Sequence, residues 1–212
     1  MAWDRTTLAE AVQNGDDEEA VKMVREALAE GVPALQILDE ALVPGIQRLG
    51  ELFTDGEVFL PEVLIACRAM DRGVAELKPH LQAGDVHRKG KIILGTVEGD
   101  LHDIGKNIVR LMLECAGFEV IDLGVDVPAT TFVDAVKEHA PDIVAMSALL
   151  TITMTSMPEV IELLQKAGLR DRVSVMIGGA PITREYADQI GAEGFAEDCA
   201  SAVLEAERLA AS

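Results

Sequence analysis

The sequence predicts an α + α/β chain: an N-terminal four-helix bundle, then a flavodoxin-like, doubly wound five-stranded parallel sheet. Three observations predict it. From Trp3 to about Leu81, apolar residues recur at the three- and four-residue spacing of buried helix faces. After a polar, glycine-containing stretch from Gln82 to Gly90, short β-rich runs alternate with amphipathic stretches five times over. With 49% apolar and 26% charged residues among 212, the chain can bury a real core in each half. The expected domains are 1–88 and 89–212.

The helical half opens with a short helix at about Asp4–Asn14. "DDEEAVKMVREALAEG" follows; its acidic start suits a helix N-terminus and Gly31 a C-terminal stop. "VPALQILDEALVPGIQRLGELFTDG" reads as a longer helix that Pro44-Gly45 should kink or divide. "FLPEVLIACRAMDRGVAELKPHL" is the fourth, with Pro61 in its first turn.

In the second half, "KIILGTV" is a strand and "DIGKNIVRLMLECAG" a helix. The pairs "EVIDLG"/"ATTFVDAVKEHA", "DIVAMSA"/"MTSMPEVIELLQKAG", "VSVMIGG"/"TREYADQIG" and "GFAE"/"CASAVLEAERLA" repeat the pattern. Serial βα units call for a parallel sheet with helices on both faces; right-handed crossovers leave few topologies, and of these the flavodoxin-like order 2-1-3-4-5 is expected.

Composition narrows the partners. A formal charge of −19 works against a nucleic-acid backbone or an anionic membrane surface. Apolar runs are too short and too polar to span a bilayer, and the charged N-terminus lacks the apolar core of a signal peptide, so a cytoplasmic protein is expected. Cys67, Cys115 and Cys199 lie far apart and read as reduced, mostly buried thiols. His80, His87 and His139 lack partners at useful spacing and read as surface residues.

The chemistry concentrates in "GTVEGDLHDIGKNIV", Gly95 to Val109. It leaves the first strand at about Val97, where doubly wound sheets bind ligands. Asp100 and His102 are two residues apart, so in extended backbone they share a side. The carboxylate can take a hydrogen bond from one imidazole nitrogen and leave the other aimed outward, as in a metal-bound histidine. Gly105 sits in the first helical turn, where a missing side chain admits a bulky ligand. The plainer alternative is a loop histidine, with Asp100 or Asp103 as a helix N-cap. With one histidine and no cysteine here, a bare zinc or iron ion would lack ligands. A metal that brings its own equatorial ligands needs one protein donor, which points to a tetrapyrrole-like cofactor.

These residues resemble the cobalamin-binding domain shared by methionine synthase, corrinoid methyl-carrier proteins and the adenosylcobalamin mutases. "GDLHDIGKNIV" carries the D-x-H-x-x-G signature; "MSALLT", with Ser147 and Leu149, and Gly178-Gly179 follow in the right order. "LGELFTDGEVFLPEVLIACRAM" resembles the helical cap that precedes such domains, so the likeness covers about the whole chain. It implies cobalamin or a related corrinoid, with a cobalt that is methylated in one state. His102 would be the lower axial metal ligand in place of the cofactor's own base, held by Asp100 in a relay that Thr153 completes where relatives carry serine. Asp103, within the same stretch, is also expected among the cofactor-binding residues. Ser147, Leu149 and Thr151 would line the slot for the nucleotide tail, with Gly178 and Gly179 allowing close approach and Gly99 and Gly105 flanking the corrin edge. Phe59 and Leu64, with Leu60 and Val63, would shield the upper face, unless they simply fill the bundle core.

By the same resemblance the chain is a carrier with no catalytic residue of its own. It would pass methyl groups from a substrate-specific methyltransferase to an acceptor methyltransferase using coenzyme M or tetrahydrofolate, with a reductive activase as third partner. Methylamines, methanol, methoxylated aromatics and betaines are the possible donors. A mutase subunit would lack the cap, and a DNA-binding regulator would need a basic segment. A storage module without methyl transfer shares every motif.

Overall fold

The computed structural model describes residues 3–81 and 89–211, so most of the Gln82–Gly90 linker and His87 lie outside the described residues. Contacts divide the chain into two compact units, Met1–His87 and Arg88–Ser212.

The first unit is the expected bundle. Helices α1 (Arg5–Gln13) and α2 (Asp17–Ala29) start at Asp4 and Asp16, whose carboxylates accept the N–H groups of Thr7 and Glu19. Gly31, with φ of 85°, ends α2 in the left-handed conformation that glycine enters freely. The third helix is continuous but not regular. Helix α3 (Ala34–Ile37) passes through a π turn, Leu38–Leu42, into α4 (Val43–Thr54). The expected break at Pro44-Gly45 thus falls one turn earlier. Pro44 can donate no N–H and its ring crowds the carbonyl four residues back. The widened turn, in which Val43 N–H bonds the Leu38 carbonyl, absorbs that conflict without ending the helix. Gly45 serves packing instead: a Cβ there would lie 2.5 Å from the Ala9 carbonyl oxygen, so α1 and α4 meet where a side chain is missing. Helix α5 (Leu60–Leu77) opens with Pro61 in its first turn and Glu62 accepting the Phe59 N–H at 2.6 Å. Leu8, Val12, Val24, Ile37, Leu42, Val63 and Leu77 fill the core.

The second unit has strands β1 (Lys91–Thr96), β2 (Glu119–Asp122), β3 (Ile143–Ser147), β4 (Ser174–Gly178) and β5 (Gly194–Ala196), all parallel, in the expected order 2-1-3-4-5. Helices α6 (Ile104–Cys115), α7 (Ala129–His139), α8 (Met157–Lys166), α9 (Arg184–Ile190) and α10 (Cys199–Ala210) connect or follow them. Successive β1 residues face opposite layers. Ile93 packs with Phe132, Val160 and Ile177 beneath α7–α9, and Ile92 and Leu94 with Leu113, Ala202 and Leu209 beneath α6 and α10. Burial on both faces is why these strands read as unbroken apolar runs.

The order reverses between β1 and β3, so their C-terminal loops diverge and leave a crevice. In-register pairing lines up Thr96, Ser147, Gly178 and Ala196 along that edge. All three cysteines are buried. His80 is exposed, whereas His139 is half-buried, its carbonyl accepting Lys91 Nζ at 3.1 Å.

Candidate cofactor site

The loop after β1 is tied back on itself. Gly99 takes a φ of 82°, the Asp100 N–H bonds the Val97 carbonyl at 3.1 Å, and the Thr96 hydroxyl donates to the His102 carbonyl at 3.0 Å. Thr96 is wholly buried, and its bond closes the loop across six residues.

Asp100 is also wholly buried, and donors converge on its carboxylate. Oδ1 accepts His102 Nδ1 at 2.6 Å and His102 N–H at 3.1 Å. Oδ2 accepts the Leu149 N–H at 2.7 Å, the Leu150 N–H at 3.3 Å and the Thr153 hydroxyl at 2.7 Å. Burial alone would raise this carboxyl. The bonds from Thr153, Leu149 and His102 outweigh it and hold Asp100 well below the usual carboxylate range. An ionised carboxylate only accepts, so the proton between the two side chains sits on Nδ1, and Nε2 is the ring nitrogen that can present a lone pair. The His102 side chain is 51% exposed, and Nε2 has no hydrogen-bond partner among the described residues.

The turn after β3 sorts its residues by hydrogen bonding. The N–H groups of Thr153 and Met154 both reach the Leu150 carbonyl, which folds Thr153 inward to Asp100 and leaves Thr151 exposed on the outside. Thr151, expected in the slot, is therefore not part of its lining. Ser147 and Leu149 do line it, and Leu149 also supplies the backbone N–H that no sequence pattern announces.

The slot is a cavity of about 550 Å³ running from His102 along the sheet edge between α6 and α10. Small residues make the room: Ala145, Ala148, Gly178, Gly179, Ala196 and Ala202 are on its wall. Gly179, with φ of 128°, has a second reason to be glycine, since a Cβ there would sit 1.9 Å from the Ala148 carbonyl oxygen. Gly178 is similar, with the Ala196 oxygen 2.9 Å away. These two glycines let backbone approach backbone as well as leaving the slot open. Gly105 faces open space in the first turn of α6, and a Cβ at Gly99 would only touch Thr153 at 3.5 Å. Asp103 precedes α6 without capping it; its carboxylate takes the Asn107 amide at 3.1 Å.

Lys106 was not legible as part of this region. It is buried, and its Nζ bonds Asp122 Oδ1 at 2.7 Å and Oδ2 at 2.6 Å, with Asn107 Oδ1 at 2.9 Å. All three donor hydrogens are engaged, so Lys106 fastens the first turn of α6 to the end of β2 and holds one wall of the slot. A lysine on the apolar face of a helix, with an aspartate ending the next strand, was the available signal. In the helical unit, Val63 is wholly buried core, whereas Phe59 (70%) and Leu64 (42%) are exposed.

Apolar side chains also surround the imidazole's end of the sheet: Leu101, Ile104, Leu149, Leu150 and Ile152 are all exposed. Among the described residues, no group of three or more His, Cys, Asp or Glu could hold a bare metal ion. One free imidazole nitrogen, an apolar rim and a deep slot fit a flat group that carries its own metal and a trailing arm. The fold and site thus define a protein that holds a prosthetic group through a single axial donor at the switch point of a doubly wound sheet.

The chain belongs to the B12-binding domain family. The family model described as "B12 binding domain" matches residues 90–204, and a second with the same description matches residues 5–78. The trimethylamine corrinoid protein of Methanosarcina barkeri is 45% identical over 196 residues, 92% of this chain and 90% of that protein. Among solved structures, a cobalamin-binding protein from Desulfitobacterium hafniense DCB-2 is 39% identical with a TM-score of 0.82, covering 97% of this chain and 98% of that one. The methanol:cobalamin methyltransferase complex MtaBC from Methanosarcina barkeri matches at 30% identity and a TM-score of 0.87, covering 99% of this chain and 82% of the matched chain. The cofactor of this chain is cobalamin or a related corrinoid.

Proposed function

We propose that this protein is a methyl carrier that binds its corrinoid with the cofactor's own base displaced and His102 in its place. The single observation that carries the reading is the His102 imidazole, with Nδ1 bonded to buried Asp100 and Nε2 free beside the slot. When bound, the corrinoid supplies the methyl-accepting and methyl-donating metal; the chain supplies the setting.

His102 would offer Nε2 as the lower ligand. Asp100 keeps the proton on Nδ1 and raises the basicity of Nε2. Thr153 and the Leu149 N–H hold Asp100 ionised, so its pull on the imidazole does not vary near neutral pH. Ser147, Leu149, Gly178 and Gly179 would receive the displaced tail, with Lys106 steadying the opposite wall. Leu101, Ile104 and Leu150 would exclude water beneath the ring. Phe59 and Leu64, exposed on the helical unit, are the proposed upper shield.

The donor we infer is a methylated amine, since the trimethylamine corrinoid protein is 45% identical to this chain. A substrate:corrinoid methyltransferase would load the chain, and a corrinoid:acceptor methyltransferase, using coenzyme M or tetrahydrofolate, would unload it. A reductive activase would restore oxidised cofactor. The MtaBC neighbour supports a methyltransferase partner.

The test is electron paramagnetic resonance of the cobalt(II) form. The axial nitrogen splits the signal into triplets, and [15N]histidine labelling should turn them into doublets. Triplets that persist after labelling would mean that the nitrogen belongs to the cofactor and would end the ligand assignment. Methyl uptake from mono-, di- and trimethylamine, with the matching methyltransferases, then decides the donor.

A further inference from the structure

Asp126, on the loop between β2 and α7, is a non-glycine residue in left-handed backbone, with φ of 53°. Side chains seldom adopt that region, though aspartate and asparagine tolerate it best. Such strain persists where surrounding bonds over-determine it. Here the Asp126 carboxylate Oδ1 accepts the Gly99 N–H at 2.7 Å, and the Asp126 N–H donates to the Asp100 carbonyl at 2.9 Å. The two bonds bracket Gly99 and Asp100 from opposite ends. Glycine at position 99, at φ of 82°, gives that peptide no side-chain restraint, because without a Cβ it enters left- and right-handed backbone alike. Besides the local bond from the Asp100 N–H to the Val97 carbonyl, the restraint on this segment comes from a loop 27 residues away in sequence.

We propose that Asp126 is a positioning residue for His102: its carboxylate and its strained backbone together clasp the Gly99–Asp100 segment, and through Asp100 they fix the direction in which Nε2 points. This rests on the corrinoid reading above. The left-handed turn is what lets one residue use its side chain and its own N–H toward the same segment. Without the clasp, the Asp100 carboxylate keeps its bonds from Leu149 and Thr153. The Glu98–Gly99 peptide, left with only the Ser156 hydroxyl on its carbonyl at 3.4 Å, can then rotate while the Asp100 N–H stays on Val97, and the imidazole would lose its fixed bearing rather than its partner.

Three full-length variants separate the parts. D126N keeps an acceptor oxygen and tolerates the left-handed backbone. D126A loses the acceptor and keeps the strain. D126G loses both. In the protein without cofactor, amide exchange at Gly99 should quicken at least tenfold in D126A and D126G and stay near wild type in D126N. With hydroxocobalamin, D126A and D126G should bind about tenfold more weakly and lose most of the [15N]histidine-sensitive splitting, with D126N restoring both. Binding within twofold of wild type and an undiminished histidine signal in D126A and D126G would overturn the proposal, as would a D126N variant as impaired as D126A. A wild-type chain that takes up no cobalamin, yet whose Gly99 exchange depends on Asp126, would sink the corrinoid reading and reduce the clasp to a loop restraint.

Discussion

Two regions of the α/β unit solve the same problem, a carboxylate drawn out of water, in opposite ways. On α10, Glu205 meets Arg208 Nε at 2.7 Å and Arg184 at 2.8 Å, and accepts the Phe195 N–H at 3.2 Å. Arg208 is the main cause that holds it at about 2, with burial opposing and Arg184 adding. Its charge is cancelled by guanidiniums, so it joins α9, β5 and α10 and has nothing left over. On the β1 loop, neutral hydroxyl and backbone donors, together with one imidazole, hold Asp100. Its charge is solvated without being neutralised, and the remaining field falls on His102. A scaffold carboxylate is satisfied by cations; a working one is kept ionised by dipoles so that its charge still acts on the group beside it.

The sharpest way to break this comparison is Asp100→Ala. It takes the carboxylate from the Leu149 N–H and leaves the Thr153 hydroxyl with only the Leu150 carbonyl, so unfolding free energy should fall by about 3 kcal/mol and cobalamin affinity at least tenfold. Urea denaturation and binding titration check both. Should affinity survive while stability falls, Asp100 would be a scaffold residue like Glu205. Glu205→Gln should cost about 2–3 kcal/mol and leave cobalamin affinity unchanged; any matching loss of affinity would erase the contrast.

Acid tests the arginine-held group directly. Glu205 has a folded value of about 2 against an ordinary 4.5, so its contribution is complete above about pH 4.5 and is lost as pH falls toward 2. The Glu205→Gln chain should therefore show a flatter decline in urea midpoint across that window than wild type. Asp100, also depressed, loses its contribution in the same direction, below the usual carboxylate range. Equal slopes in wild type and variant would mean that Glu205 is not held down by its arginines.

The smallest expected effect sharpens the comparison within the site. Thr153→Ala removes one of the donors on Asp100 and should cost about 1 kcal/mol, with Thr153→Ser neutral. The cobalt(II) spectrum should keep its histidine splitting in both. A serine variant as damaged as the alanine one would mean that the methyl group of Thr153, not its hydroxyl, matters.

The legible parts of this molecule were those written in local pattern. The unbroken apolar runs of β1 and β3 announce strands covered on both faces, and the alternation of runs announces a parallel sheet. Asp100 and His102 could be paired on paper because they are neighbours in the chain. Thr153 needed a family resemblance, and only the folded turn shows that Thr151 faces away while 153 faces in. Thr96, Lys106, Asp122 and Asp126 are not legible in the sequence because each acts through a partner on another segment. The irregularity expected at Pro44-Gly45 falls one turn earlier, as a π turn, because Pro44 acts on the carbonyl behind it.

By itself, the sequence determined a helical and a βα rhythm, a parallel sheet and the one imidazole placed where such sheets bind ligands, since each follows from spacing along the chain. Tertiary structure alone decided which donors reach Asp100, how wide the slot is and what clasps the His102 loop. Those depend on backbone N–H groups and side chains that lie dozens of residues apart and become neighbours only when the strands pair.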